Sequence, residues 1–310
     1  MSLLRALATL MLATIALGAS AQPKRSAAGL VSGEHVFALT QQYLATAPKR
    51  YVGSPGHLAA ENFLKAHFQP EIAAGRFESD EFHPNTPIGQ VTMRNYIVRY
   101  PGKKDGVIVL ASHYETNYWL KDVNFVGAND GACTTALLIA LGEYFRAHPP
   151  EGYSIWLVFD DGEEAIKEWS ASDSLYGTRH LAAKWSGDGT LKKINAFVLA
   201  DMIGDKDLNV NREDNSSPAL EAMLEQAAKD TGHSSSIFKY QQAVEDDHLP
   251  FRMRGVPVLD IIDMDYGPVS NNAPEGYHHT AQDTLDKVSP RSLQISADLF
   301  MQMIRLIDQH

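Results

Sequence analysis

Residues 154–164 read SIWLVFDDGEE, a short apolar run that leads directly into four carboxylates within five positions. Such a run predicts a buried strand over Ser154–Phe159. In an open α/β sheet, ligands bind beyond the carboxyl ends of the strands, so Asp160–Glu164 fall where a site would form. Neighbouring glutamates in a turning segment point in different directions, which lets one bind a metal while the other faces a substrate. A solvated acidic loop is the alternative interpretation.

The rest of the chain repeats this alternation of apolar runs and helical periodicity. The other predicted strands are Val91–Tyr100, Val107–Ala111, Ala196–Ala200 and Pro257–Ile262. The predicted helices are Gly33–Ala47, Gly56–His67, Ala132–Ala147, Ser174–Lys184, Pro218–Asp230 and Pro290–Gln309. This alternation predicts an α/β fold whose central sheet is covered by helices on both faces. No linker-like stretch interrupts residues 33–310, so we expect one domain there.

Acidic and histidine residues follow the predicted strands. His113 and Glu115 come after the run at 107–111, and Asp201 follows the run at 196–200. Because ligand sites form at the carboxyl ends of strands, we expect these side chains to converge on the crevice that also holds residues 160–164.

Two further segments supply candidate ligands. In GANDGA, residues 127–132, Asp130 either caps the following helix or binds a metal, and the glycines allow close backbone approach. His278 and His279 lie in a loop before the closing helix. A lone loop histidine is usually a surface residue, but Asp, Glu and His donors together suit a catalytic zinc that keeps one position open.

The first residues resemble an export signal. Arg5 precedes an apolar run that ends in Ala19-Ser20-Ala21, the small-x-small pattern of a signal-peptidase site. The run is shorter than the roughly 20 residues that a bilayer span needs, which favours a cleaved leader over a membrane anchor. We therefore expect a signal peptide over 1–21, a flexible mature N-terminus over 22–32, and a secreted or periplasmic protein.

Charge and cysteine content exclude several classes. The 310 residues carry a formal net charge of -11, which argues against nucleic-acid binding because phosphate contacts need concentrated Lys and Arg. Cys133 is the only cysteine in the sequence, so the chain cannot form an internal disulfide. We expect Cys133 to be a small buried residue.

The order of the motifs resembles that of zinc aminopeptidases of the di-zinc exopeptidase superfamily. The motifs are HYE (113–115), GANDGA (127–132), DDGEEA (160–165), Asp201, DDHLPF (246–251) and HHTAQDT (278–284). The stretch from DGEEA through Trp169 to DSLYGTRHLA (173–182) is more similar to the animal-type glutaminyl cyclases, which belong to that superfamily, and DDHLPFRMRGVPVLDII (246–262) supports the same choice. The resemblance covers roughly residues 33–309 and implies a single zinc aminopeptidase-like domain with a mixed sheet.

The resemblance also implies a metal centre. It implies one zinc ion held by Asp130, Glu164 and His279, with Glu163 as the general acid/base. The neighbouring carboxylates should raise the pKa of Glu163.

Other roles follow from the same resemblance. Asp201 and Asp246 match two aspartates of the family's active-site hydrogen-bond network. Trp169 matches an aromatic wall of the substrate pocket, although plain packing is an alternative role for it.

The chain departs from the cyclase pattern at three positions. His278 stands where animal cyclases have a tryptophan, which leaves one pocket wall open to question. Ser112 and Thr135 stand where many animal relatives have two cysteines that form a disulfide, so this fold cannot depend on that bridge.

The implied activity is cyclisation of an N-terminal Gln to pyroglutamate with release of ammonia. The implied partner is a peptide or protein with a free N-terminal Gln, and we expect the enzyme to act as a monomer. The main alternative is a di-zinc aminopeptidase, in which His113 and Asp201 hold a second zinc and Asp130 bridges the pair; Glu115 stands where those enzymes usually have aspartate. A non-catalytic peptide-binding domain is a third possibility, which loss of a ligand or of Glu163 would favour.

Overall fold

The structure is a computed structural model that describes residues 26–270 and 276–310. The strands are β1 (Phe77–Phe82), β2 (Asn85–Thr86), β3 (Gly89–Gln90), β4 (Met93–Tyr100), β5 (Lys104–His113), β6 (Tyr153–Asp160), β7 (Ile194–Asp201), β8 (Val210–Glu213), β9 (Ile237–Gln242) and β10 (Val258–Ile262). The α-helices are α1 (Gly33–Thr46), α2 (Pro55–His67), α3 (Gln69–Ala73), α4 (Cys133–Ala147), α5 (Tyr176–Gly187), α6 (Pro218–Thr231), α7 (Leu249–Arg252) and α8 (Pro290–Ile307).

Six strands form a central mixed sheet in the order β1-β4-β6-β5-β7-β10. The four strands β6, β5, β7 and β10 run parallel, whereas β1 and β4 pair antiparallel at one side. The carboxyl ends of the four parallel strands therefore meet at one edge of the sheet, as the sequence predicted. The predicted strands and helices are all present, and their ends lie within three residues of the predicted ends.

Apolar cores lie on both faces of the sheet. Ile108 and Leu110 of β5 point into the larger core, where α1, α4 and α8 pack. Val107 and Val109, the alternate residues of the same strand, point into a second core with α5 and α7. Because neighbouring side chains of a strand point to opposite faces, an all-apolar run such as this one has to be covered on both sides. The predicted helices on both faces are confirmed.

Three strand pairs were not predicted: β1 with β4, β2 with β3, and β8 with β9. The edge strand β1 reads FESDEF, and its acidic residues conceal the apolar alternation that would mark a strand. It pairs along its whole length with β4. The short parallel pair β8 and β9 forms a separate two-stranded sheet beside β10.

The N-terminal segment differs from its prediction in the part that is described. Residues 26–32 were expected to be flexible, but Ala27 and Val31 are buried. The backbone N–H groups of Ala27 and Gly29 donate to Gln302 and Asp298 of α8. These bonds fix the segment on α8. The predicted leader, 1–21, lies outside the described residues, and no helix in the described part is long and apolar enough to cross a membrane.

Candidate active site

The DDGEE segment is buried rather than solvated. Asp160 and Asp161 are fully buried at the end of β6, and Glu163 and Glu164 are also buried. Gly162 adopts a positive φ of 75°, which turns the chain between the two acidic pairs. The carbonyl oxygen of Glu163 accepts a hydrogen bond from Leu175 N at 2.7 Å, so the turn is anchored to the segment before α5.

The Asp130 loop is irregular and does not cap a helix. Helix α4 begins at Cys133, and no side chain caps it. Asp130 itself has non-helical dihedrals, and Gly131 has a φ of +84°. A Cβ on Gly131 would lie 2.9 Å from Cε1 of His113, so glycine allows the loop to pack directly on β5. The side chain of Asp130 is therefore available as a ligand.

His279, one of the three predicted zinc ligands, contacts the other two. The Nε2 atom of His279 lies 3.0 Å from Oε1 of Glu164 and 3.4 Å from Oδ2 of Asp130. The Oδ2 atom of Asp130 is buried and accepts no hydrogen bond from the part of the chain that the structure describes. Two carboxylates that lie next to one imidazole nitrogen are a donor set that suits a catalytic zinc ion. The residues therefore fit a zinc ion.

His279 reaches this point through an unusual backbone conformation. Its φ is +51°, in the left-handed region that a histidine seldom adopts. Residues keep such strained conformations only where the surrounding contacts hold them, and they are concentrated at functional sites. His278, the neighbouring half-buried side chain, also presents a nitrogen close to Asp130 and His279, which makes it a further candidate ligand.

A second donor set adjoins the first. The Nε2 atom of His113 lies 3.2 Å from Oδ1 of Asp130 and 3.4 Å from Oδ1 of Asp201. These are the residues that the aminopeptidase alternative assigns to a second metal, with Asp130 between the two positions. Both donor sets are thus present in the described chain, and Asp130 belongs to each of them.

Burial and mutual repulsion shape the charges of the site. Burial, followed by the carboxylate of Glu164, raises the pKa of Glu163 well above its ordinary value. Burial and the carboxylates of Asp201 and Asp247 likewise raise the pKa of Asp246. For Asp130 burial alone would raise the pKa, but the hydrogen bond from His113 and the charges of His113, His279 and His278 together outweigh burial and hold the pKa low. A candidate ligand with a lowered pKa and a carboxyl group with a raised pKa thus line the same pocket.

A pocket of about 350 Å³ opens onto these groups. The predicted site residues that line it are Asp130, Glu163, Glu164, Trp169, Asp201, Asp246, His278 and His279. Trp169 is partly exposed at the pocket, and its Nε1–H donates to Glu245 at 3.2 Å. Every residue that the sequence assigned to catalysis, substrate or the first metal therefore contributes to one cavity, while their roles stay predictions.

Sequence reasoning missed several supporting residues. Asn117 donates from Nδ2 to Oε2 of Glu164 at 2.6 Å. Asp283 accepts from the backbone N–H groups of Asn129 and Asp130 and so holds the loop from the other side. Asp283 belongs to the HHTAQDT motif and could have been found from it. Asn117 is an uncharged residue outside the motifs, and no sequence signal marks it.

Hydroxyl groups lie where many animal cyclases have the disulfide. Ser112 Oγ donates to Thr134 Oγ1 at 2.7 Å, and Thr135 Oγ1 donates to the carbonyl oxygen of His113 at 3.2 Å. These bonds join β5 to α4 directly behind the site. Cys133 is fully buried, as predicted.

Comparison with known proteins identifies the family. Residues 95–304 match peptidase family M28. A glutaminyl-peptide cyclotransferase of Boiga irregularis is 32% identical over 275 residues, which cover 78% of this chain and 75% of that protein. The chain belongs to peptidase family M28.

Solved structures of M28-like proteins resemble this M28 chain closely. A glutaminyl cyclase of an Acidobacteriales bacterium is 69% identical, with a TM-score of 0.90 over 96% of this chain and 99% of that one. A glutaminyl cyclase of Macrostomum lignano is 28% identical, with a TM-score of 0.76 over 93% of this chain and 94% of that one. The mixed sheet covered by helices is thus the fold of these cyclases.

Proposed function

We propose that this M28 chain is a zinc-dependent glutaminyl-peptide cyclotransferase, which converts an N-terminal Gln of a peptide to pyroglutamate and releases ammonia. The observation that carries the proposal is the similarity to glutaminyl cyclases over almost the whole chain, together with a buried Glu163 that lines the same pocket as the His279 donor set. M28 proteins are zinc-dependent, which agrees with the chemistry of those donors.

The protein's own residues have two tasks in this reaction, to hold the reacting groups of the substrate in position and to transfer protons. The α-amine of the substrate attacks its own γ-amide carbon, a five-membered ring closes, and the C–N bond to the amide nitrogen breaks. Glu163 accepts a proton from the amine and donates one to the departing nitrogen, which leaves as ammonia. A raised pKa suits both steps, because a group that titrates near the working pH can give and take a proton. Asp201 and Asp246 line the same pocket and orient this exchange.

Asp130, Glu164 and His279 would hold the zinc ion, and one ion per chain is the count we propose. When bound, zinc supplies Lewis acidity toward the γ-carbonyl oxygen of the substrate. The protein's contribution is a set of three donors that lines the pocket, together with Trp169 at the pocket wall. Holding the amine and the γ-carbon together supplies the proximity on which an intramolecular ring closure depends.

The compartment follows from the leader at 1–21, which supports export to the periplasm or the medium. Substrates would be peptides and proteins with a free N-terminal Gln that reach that compartment.

One experiment tests the activity against its main alternative. Purified protein is incubated with a Gln-initiated and a Leu-initiated peptide, and the products are identified by mass spectrometry. Metal analysis of the same protein gives the number of zinc ions per chain. Loss of ammonia from the Gln peptide alone, with one zinc per chain, is the expected result. Release of free leucine, with two zinc ions per chain, would instead establish the aminopeptidase that the donor set of His113 and Asp201 allows.

A further inference from the structure

The connector between α1 and α2, with the first turn of α2, carries two buried basic side chains that reach the site's loops. Arg50 is fully buried, and His57 is 4% exposed. Both precede residues 95–304, the part of the chain that matches peptidase family M28. Neither was assigned a role by the motifs.

Arg50 forms hydrogen bonds to the loop that carries the candidate ligand Asp130. Its guanidinium donates to the carbonyl oxygens of Val126 at 2.6 Å, Gly127 at 2.8 Å and Asp130 at 3.0 Å, and also to Tyr114 at 2.8 Å. The loop has an irregular backbone, and a buried carbonyl without a partner is costly, so these donors stabilise it; the Gly127 carbonyl oxygen also accepts from Ala132 N at 3.2 Å. All four hydrogen bonds that the structure describes for this guanidinium go to backbone carbonyl oxygens.

His57 contacts the segment that carries another candidate ligand, Glu164. Its Nε2 lies 2.9 Å from Oδ1 of Asp161, the residue that begins the DGEE turn. The Nδ1 atom accepts from Gly53 N at 3.4 Å, which leaves the proton on Nε2 for donation to Asp161. The other carboxylate oxygen of Asp161 accepts from Arg94 N at 2.7 Å. Asp161 is thus fixed at both oxygens.

Tyr114 contacts both Arg50 and His57. It lies between His113 and Glu115, its carbonyl oxygen accepts from Arg50, and its hydroxyl lies 3.3 Å from Nε2 of His57. The rings of His57 and Tyr114 also stack, with centroids 5.6 Å apart and planes 4° apart. One packed unit therefore contacts the carboxyl end of β5 and both loops.

We propose that Arg50 and His57 are positioning residues, which set the distance between the Asp130 loop and the DGEE turn and so assemble the donor set and aim Glu163. This inference rests on the proposed zinc-dependent cyclotransferase. Arg50 acts through Asp130 and should govern zinc affinity, whereas His57 acts through Asp161 and should govern turnover.

The first test measures zinc affinity by competition with a chromogenic chelator, which requires no turnover. Arg50→Met removes all four donated bonds, and we expect affinity for Zn²⁺ to fall by about 10- to 100-fold, as for other groups that support metal ligands. Arg146→Met is the matched control, because that arginine donates to Glu71 and to the carbonyl of His67, and neither residue contributes to the site. It should lower thermal stability and leave the affinity of the folded protein unchanged.

Arg50→Lys covers the case in which the methionine variant does not fold. Lysine keeps the charge but has a single nitrogen, which cannot reproduce the fork that spans four carbonyls. A folded Arg50→Lys protein with weakened zinc binding supports the proposal. Parental zinc affinity in whichever of the two variants folds would overturn it for Arg50.

The second test follows kcat and KM with a Gln-initiated peptide at saturating zinc. His57→Phe keeps a ring to stack on Tyr114 but cannot donate to Asp161, so we expect kcat to fall by about tenfold or more with KM little changed. His57→Gln, which restores an N–H donor, should recover part of the loss. His233→Phe breaks an equivalent 2.9 Å contact with Asp298 away from the pocket and should leave kcat unchanged.

Parental kcat in His57→Phe, or an equal loss in His233→Phe, would overturn the assignment for His57. A parent protein that binds zinc but does not cyclise the peptide would instead refute the proposed function. The zinc measurements on Arg50 would keep their meaning in that case, so the two failures are distinguishable.

Discussion

Asn117 and Glu164 form a buried hydrogen bond of 2.6 Å, from the side-chain amide nitrogen to the carboxylate oxygen Oε2. The other oxygen of Glu164 lies 3.0 Å from Nε2 of His279. One oxygen of Glu164 is therefore oriented by the protein while the other faces the donor set. This division is typical of metal ligands, whose supporting partners hold them in the geometry that the metal requires.

Replacing Asn117 by leucine should weaken zinc binding by about 10- to 100-fold, because a side chain of similar size can no longer orient Glu164. Chelator competition measures the change. Asn195→Leu is the control: the Oδ1 atom of Asn195 accepts from Val107 N near the opposite end of β5. Equal zinc affinities of parent and Asn117→Leu would show that Glu164 needs no such support.

Replacing Glu163 by glutamine should lower kcat by about 100- to 10,000-fold, the range that proton transfer by a positioned group contributes. Glutamine keeps the size of the side chain but cannot accept the amine proton. The zinc content should stay at the parental value, since Glu163 is not assigned as a ligand. Near-parental turnover in this variant would remove Glu163 from the mechanism.

Sequence patterns predicted the sheet and the meeting of the site residues for a physical reason. Parallel strands place their carboxyl ends at one edge, so residues after β5, β6 and β7 have to converge wherever those strands are buried. The assignment of Asp130, Glu164 and His279 as ligands needed the family resemblance as well, because position alone does not distinguish a ligand from a cap or a surface histidine. Their roles stay predictions.

The supporting residues could not be predicted in the same way. Arg50 bonds to backbone carbonyls, which every sequence has, so nothing in the residue types marks its partners. Asn117 reaches Glu164 because β5 and β6 are neighbouring parallel strands in which His113 pairs with Asp160, a register that residue types do not reveal. The edge strand β1 and the ordered segment 26–32 depend on tertiary pairing with β4 and α8, which outweighs their weak local patterns.

Replacing Gly131 by alanine should lower both stability and zinc affinity. The position has a φ of +84°, and a Cβ there would lie 2.9 Å from Cε1 of His113 and 3.0 Å from the carbonyl oxygen of Glu115. We expect a loss of about 1–3 kcal/mol in the free energy of unfolding, measured by denaturant titration. Gly187→Ala, where a Cβ would meet nothing within 4 Å, is the matched control and should have little effect. Comparable stability of the two variants would contradict a constrained loop at Gly131.

Replacing Trp169 by alanine should raise KM for a Gln-initiated peptide by about tenfold, because loss of an apolar wall removes roughly 1.4 kcal/mol or more of contact. Steady-state kinetics measure the change, and kcat should fall less than KM rises. Glu245→Gln keeps an oxygen that can accept from Trp169 Nε1 and should alter KM by no more than about twofold. Tyr240→Ala is the control: it removes an exposed aromatic side chain that does not line the pocket, so KM should not change. An unchanged KM in Trp169→Ala would assign that residue to packing.

Asp263 should make the protein less stable as the pH rises from 5 to 7. Burial raises its pKa to about 7, although the N–H groups of Asn209 and Asp265 donate to its two oxygens. Between its ordinary pKa of 3.8 and this value, the folded state keeps the proton and the unfolded state releases it. Because the folded state then binds more protons, the free energy of unfolding falls with increasing pH in that window.

Asp263→Asn is neutral in both states, so this contribution to the slope disappears. We expect the free energy of unfolding to fall less steeply with pH in the variant, by up to about 1.4 kcal/mol per pH unit, in denaturant titrations of zinc-saturated protein at pH 5, 6 and 7. The amide has one acceptor oxygen for two donors, so the variant should also be less stable at pH 5, by about 0.5–1.5 kcal/mol. Asp122→Asn, at an exposed position, controls for the loss of a surface charge. Equal slopes of the free energy of unfolding against pH in the parent and in Asp263→Asn would mean that Asp263 keeps its ordinary pKa in the folded protein.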